Sequence, residues 1–120
     1  MNIQALKERR KTKVVMVGNV CIGGDNPVRV QTMTKTGTLE IDATVRRVTQ
    51  CVEAGSEIVR ITTPTVKHVD ALAEIKKQVN VPLVADIHFL AEAAFAALKV
   101  ADKVRLNPGN TFKDRDELIR

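Results

Sequence analysis

VPLVADIHFLAEAAFAALKVADKVRLN (residues 81–107) reads as one complete strand–helix–strand unit. Residues 81–89 are a short apolar run, with Pro82 near its start where a ladder donor can be spared. Residues 90–101 are rich in Ala and Leu, the residues that lose least on entering a helix. KVRLN (103–107) then returns to a β-branched and apolar alternation. Two strands joined by a helix in so short a space imply a right-handed crossover and parallel pairing.

The same pattern extends outward in both directions. EIVRIT (57–62) reads as a strand, followed by Pro64 at an expected first helical turn and a helix through about Lys77, marked by Val69, Leu72, Ala73 and Val79. Before it, Ile41, Val45, Val48 and Val52 make one apolar stripe at helical spacing, with Gly55 as its stop. Glu40 and Asp42 favour the positive end of that helix. VRVQTMT (28–34) reads as a further strand, and KVVMVGNV (13–20) as a strand-like arm before it. Gly23-Gly24-Asp25-Asn26 is turn chemistry, so these two runs are expected to form an N-terminal β-hairpin, with Gly18 marking a bulge. FKDRDELIR (112–120) reads as the opening of another helix. The expected architecture is α/β: a partial TIM-type (β/α) barrel of about four parallel strands with intervening helices, preceded by a β-hairpin. Residues 1–12 are expected to be a basic N-terminal segment and 13–120 the N-terminal portion of the barrel.

Composition narrows the function classes. At 120 residues, with 44% hydrophobic and 28% charged residues, the chain suits a globular domain with a real core. Aromatics are only 2%, so stacking platforms for single-stranded nucleic acid are lacking. The net charge of +5 owes much to Lys7, Arg9, Arg10, Lys11 and Lys13, a cluster that reads most simply as a solvated start of the chain. Neither a nucleic-acid partner nor a membrane is expected. Cys21 and Cys51 lie far apart, which suits reduced thiols in a cytoplasmic protein better than a disulfide or metal site.

The informative residues are polar ones inside strands that should be apolar on both faces. Side chains alternate along a strand. Arg29 and Gln31 therefore share a face, as do Arg60 and Thr62, Asp86 and His88, and Arg105 and Asn107. One face, at the C-terminal strand ends, is expected to gather cations, a carboxylate, an imidazole and amides. Ligands bind at that end in barrels and open α/β sheets. Asp86 can balance at most one of Arg60 and Arg105, and a spare guanidinium suits a phosphate, which Arg meets with two parallel hydrogen bonds. The competing reading is an internal ion-pair network of Arg60, Asp86 and Arg105 that only fills the barrel. His88 alone fits a satisfied hydrogen-bonding residue better than a catalyst or metal ligand, and Asp86-x-His88 falls short of a metal site. Thr34, Thr36 and Thr38 are expected to cap or line the loop into the first helix, with a phosphate contact as the lesser alternative. Phosphate motifs such as GxGxxG or a Walker loop do not occur, and no complete catalytic set is visible.

VVMVGNVCIGG and PVRVQTMT, then GSEIVRIT, VPLVADIHF and VRLNPGN, together resemble the N-terminal barrel of the 4-hydroxy-3-methylbut-2-enyl diphosphate synthase family, from about Arg9 to Asn110. The resemblance implies a non-mevalonate isoprenoid enzyme. It would reductively convert 2-C-methyl-D-erythritol 2,4-cyclodiphosphate to (E)-4-hydroxy-3-methylbut-2-enyl diphosphate, with flavodoxin or ferredoxin as electron donor. It implies a TIM-type barrel, a later domain whose three Cys and one Glu hold a [4Fe–4S] cluster, and a homodimer. Arg60, Arg105 and Asn107 match positions that hold the cyclic diphosphate, and Asp86 and His88 match the strand at the barrel mouth. Cys21 and Cys51 do not match cluster positions. With about four barrel strands and no cluster ligands, the chain is expected to be a fragment, inactive by itself, that either self-associates to complete a barrel-like core or is a marginally stable monomer. A dihydropteroate-synthase-like or other phosphate-ligand barrel is the alternative.

Overall fold

In the computed structural model, which describes residues 8–88 and 90–107, the apolar runs pair as one parallel sheet. A two-stranded antiparallel hairpin comes first, β1 (Val15–Val17) and β2 (Val20–Ile22). The sheet then takes β3 (Gln31–Met33), β4 (Ile58–Thr62), β5 (Leu83–Ile87) and β6 (Lys103–Leu106), in that spatial order. Between them lie α1 (Ile41–Glu53), α2 (Val66–Gln78) and α3 (Ala91–Ala97). The fold is α/β, a partial barrel: a parallel four-stranded sheet with helices in between, plus the hairpin.

The hairpin differs from the expected one. Its turn is Gly18-Asn19, not Gly23–Asn26, and its second arm is β2, whereas 28–34 supplies the first barrel strand. Gly18 is not a bulge but the first central residue of the two-residue turn, with φ +56°, a conformation glycine adopts without penalty. The Gly23–Asn26 turn is real: Asn26 N–H donates to the Gly23 carbonyl at 3.1 Å. It leads from the hairpin to β3. A Cβ on Gly23 (φ +90°) would lie 2.3 Å from the Lys13 carbonyl oxygen, so only glycine lets the two chain segments cross there. Arg9 and Thr12 bond to this same turn, through Asn26 O and Gly24 N, and the end of the basic segment is anchored by them.

Alternation divides the sheet into two faces. Val59, Ile61, Leu83, Ala85 and Ile87 pack outward on Val48, Val69, Leu72, Ile75, Ala93, Ala94 and Ala97 of the helices. Each fully buried Leu or Ile there contributes about 1.5–3 kcal/mol. On the inner face, Ile58 and Val84 pack against Val17 of the hairpin, with Val20 and Ile22 beside them. The hairpin thus covers the N-terminal end of the inner face. Val52 leaves the expected stripe of α1 and is 42% exposed, because Thr44 and Val48, both 0% exposed, turn the buried side by part of a turn. The third helix ends at Ala97, short of the expected residue 101. Lys99 and Val100 N–H donate to carbonyls three residues back, the tightened bonding that closes a helix. The expected helix over 112–120 and the Pro108-Gly109-Asn110 turn lie outside the described residues. No helix among the described residues is long and apolar enough to cross a membrane.

Candidate functional site

Strand register builds the site. Thr62 of β4 sits beside Asp86 of β5, which sits beside Arg105 of β6, all on the inner face near the C-terminal strand ends. Arg60 lies one step lower on the same face of β4, beside Met33 of β3. The backbone around Asp86 is pinned by Thr63, whose N–H donates to the Asp86 carbonyl at 3.0 Å.

Asp86 is the hub and is only 2% exposed. Arg105 Nη1 donates to its Oδ1 at 3.1 Å. His88 Nε2 lies 3.2 Å from Oδ2, and Arg60 Nε lies 3.5 Å from the same oxygen. That last contact is close enough for an ion pair, but its geometry leaves the buried Arg60 Nε without a hydrogen-bond acceptor. Arg60 Nη2 reaches only the Met33 thioether, at 3.3 Å, a weak acceptor for a guanidinium. A single carboxylate therefore faces two guanidiniums, and one positive charge is left over before His88 is counted. The side chains of Arg60 and Arg105 remain 31% and 44% exposed, open to a ligand from the mouth. Asn107 follows β6 directly and is half-buried.

The expected five residues thus converge on one mouth: Arg60, Asp86, His88 and Arg105 in contact through Asp86, and Asn107 at the end of the adjoining strand. The ion-pair network weighed against ligand binding is present as well, but it does not balance.

The pair Arg29 and Gln31 does not join them. Gln31 is the first residue of β3, beside Ile58 at the start of β4, so it lies at the opposite end from the mouth. Arg29 precedes the strand and binds Glu57 at 2.9 Å and the Cys21 carbonyl. Its hydrogen bond to Glu57, aided by the Val30 N–H, holds that carboxyl below its ordinary value. Parity alone does not locate a residue along a strand; the short β3 and its offset against β4 do. Met33, which takes the place at the level of Arg60, gave no polar signal in the sequence. The loop threonines split in role: Thr38 Oγ1 donates to the Thr62 carbonyl, Thr36 bonds Thr44, and α1 has no side-chain cap.

Among the described residues no three His, Cys, Asp or Glu side chains assemble to hold a metal ion. Cys21 and Cys51 are free thiols on β2 and α1.

A family model described as the GcpE TIM-barrel domain matches residues 12–119. The chain is 49% identical over 115 residues to a 4-hydroxy-3-methylbut-2-en-1-yl diphosphate synthase (flavodoxin) of Psychrobacter arcticus, covering 95% of the chain and 31% of that protein. It is 51% identical over 106 residues to the protein of the same name from Anoxybacillus flavithermus, covering 88% and 29%. It is 47% identical over 115 residues to that of Chromohalobacter salexigens, covering 95% and 31%. The chain therefore spans about a third of the length of these relatives.

Proposed function

The chain belongs to the GcpE TIM-barrel domain family, and from that premise we propose that it is the substrate-binding part of the barrel of a 4-hydroxy-3-methylbut-2-enyl diphosphate synthase. The whole enzyme would open 2-C-methyl-D-erythritol 2,4-cyclodiphosphate reductively, with flavodoxin, named in the relatives, delivering electrons. In this reading Arg60, Arg105 and Asn107 hold the cyclic diphosphate, while Asp86 and His88 line the mouth and orient the two arginines. The observation that carries the reading is the imbalance at Asp86: one buried carboxylate, two guanidiniums, and an Arg60 Nε lacking an acceptor. A phosphate oxygen supplies the acceptors the protein withholds.

The described residues do not fit an iron–sulfur cluster. Cys21 and Cys51 sit on separate elements, and no further thiol, carboxylate or imidazole joins either into a cluster of donors. In this reading the [4Fe–4S] group is held by the later domain that the family resemblance implies, since this chain has two cysteines and the resemblance calls for three. The outer strands β3 and β6 have no further partner in the described sheet, which supports a homo-oligomer or a longer chain completing the barrel.

Arg60→Ala and Arg105→Ala in the whole enzyme test the reading. Each removes a charge-assisted contact of about 1.5–3 kcal/mol. Calorimetry with the cyclodiphosphate should show both variants weakened roughly tenfold or more. Arg105→Lys should fall with them, because an ammonium cannot replace the planar fork. Unchanged affinity in both alanine variants would remove the arginines from the site.

A further inference from the structure

A second pocket opens beside the cluster. It has a volume of about 450 Å³ and lies over the loop from β3 to α1, lined among others by Thr34, Lys35, Thr36, Thr38, Thr62 and His68. No carboxylate lines it. Thr34 is 4% exposed, and its hydroxyl is buried without any hydrogen-bond partner. An orphaned hydroxyl is expensive to keep in a folded protein, and a valine would fill the same space without that cost. Lys35 is exposed and has no ion-pair partner among the described residues. His68 Nδ1 is engaged with Thr65 Oγ1 at 2.7 Å; when that hydroxyl donates, Nε2 carries the ring proton and becomes a donor.

The pocket is continuous with the mouth. Met33 and Thr62 line it, and both also belong to the cluster: Met33 accepts from Arg60, and Thr62 is the register neighbour of Asp86. Thr38 ties the loop to the Thr62 carbonyl, so loop and strand hold a fixed relation. We infer that the loop 34–38, with Thr34 and Lys35 as its donors, is a second anion subsite that receives one phosphoryl group of a diphosphate whose other phosphoryl group is bound by Arg60 and Arg105. The inference rests on the reading of the mouth as a diphosphate site. It adds a division of labour: two phosphoryl groups, two separate sets of donors.

Titration of the whole protein with inorganic pyrophosphate and with orthophosphate separates the possibilities. Lys35→Met and Thr34→Val should each weaken pyrophosphate about fivefold or more, while orthophosphate, which the arginines alone can hold, stays within about twofold. Thr34→Val should melt at or above the wild-type temperature, since the hydroxyl it loses has no partner in the fold; a lower melting temperature would mean a structural hydrogen bond and would overturn the assignment of Thr34. If Arg60→Ala and Arg105→Ala weaken pyrophosphate but Lys35→Met and Thr34→Val do not, the subsite is refuted and the arginine site stands. If only the loop variants weaken it, the loop binds anions and the arginine reading fails. Binding of neither anion by the wild-type protein would overturn both.

Discussion

The two ends of the sheet handle charge in opposite ways. At the N-terminal end, Val17 of the hairpin seals the inner face against Ile58 and Val84, and two cations there each have their own carboxylate: Arg29 with Glu57, Lys76 with Asp102. Asp102 Oδ2 also accepts from the Leu83 backbone N–H, so one oxygen ties the α2 lysine to the start of β5. At the C-terminal end, Asp86 is shared among Arg60, Arg105 and His88, and both Arg60 Nε and the Thr34 hydroxyl are left without acceptors or donors. One end is satisfied internally; the other awaits a ligand. Burying polar groups unsatisfied destabilises a fold, so an imbalance confined to one end marks where something other than the protein completes the bonding.

Substitutions at the sealed end sharpen this contrast by affecting stability without affecting binding. Ile58→Ala removes a side chain 1% exposed from the hairpin contact and should destabilise the fold by about 2–5 kcal/mol in a denaturant titration. Anion affinity, measured under conditions where the variant is folded, should remain at the wild-type level. Loss of affinity in the folded variant would mean that the two ends are coupled, and the contrast would break.

A smaller effect is expected from the surface pair at the same end. The Arg29 hydrogen bond keeps the Glu57 carboxyl below its ordinary value of 4.5. A depressed carboxyl stabilises the fold above its unfolded value, and that contribution disappears as pH falls through the lower folded value. Glu57→Gln should therefore flatten the acid limb of the stability profile below about pH 4.5 and change little at neutral pH. Denaturant melts of both proteins across that limb check it; parallel profiles would show that the pair contributes nothing.

Much of the fold was legible because alternation and helical spacing are local. EIVRIT, VPLVADIHF and KVRLN each became a barrel strand, and the polar parity that singled out Arg60, Asp86 and Arg105 needed only the two-residue period of a strand. What was not legible depended on contacts distant in sequence. The hairpin was misplaced because two glycine-bearing turns, Gly18-Asn19 and Gly23–Asn26, compete for it; the choice is made by Val17 docking on Ile58 and Val84. Arg29 was assigned to the mouth because its parity is right, yet Glu57 holds it at the far end. The solitary burial of the Thr34 hydroxyl was not legible for a related reason: a threonine in a loop has no pattern to betray that its hydroxyl will be buried alone.

The central claim is that anions bind at the strand mouth and its adjoining loop 34–38, and not at the basic start of the chain. Backbone amide chemical shifts recorded during titration with pyrophosphate test it most directly. The account predicts shifts at Arg60–Thr63, Asp86–His88, Arg105–Asn107 and the loop 34–38, with the hairpin and Lys76 unmoved. Shifts that instead gathered around Arg9–Lys13 and the hairpin, leaving Arg60 and Arg105 still, would contradict it.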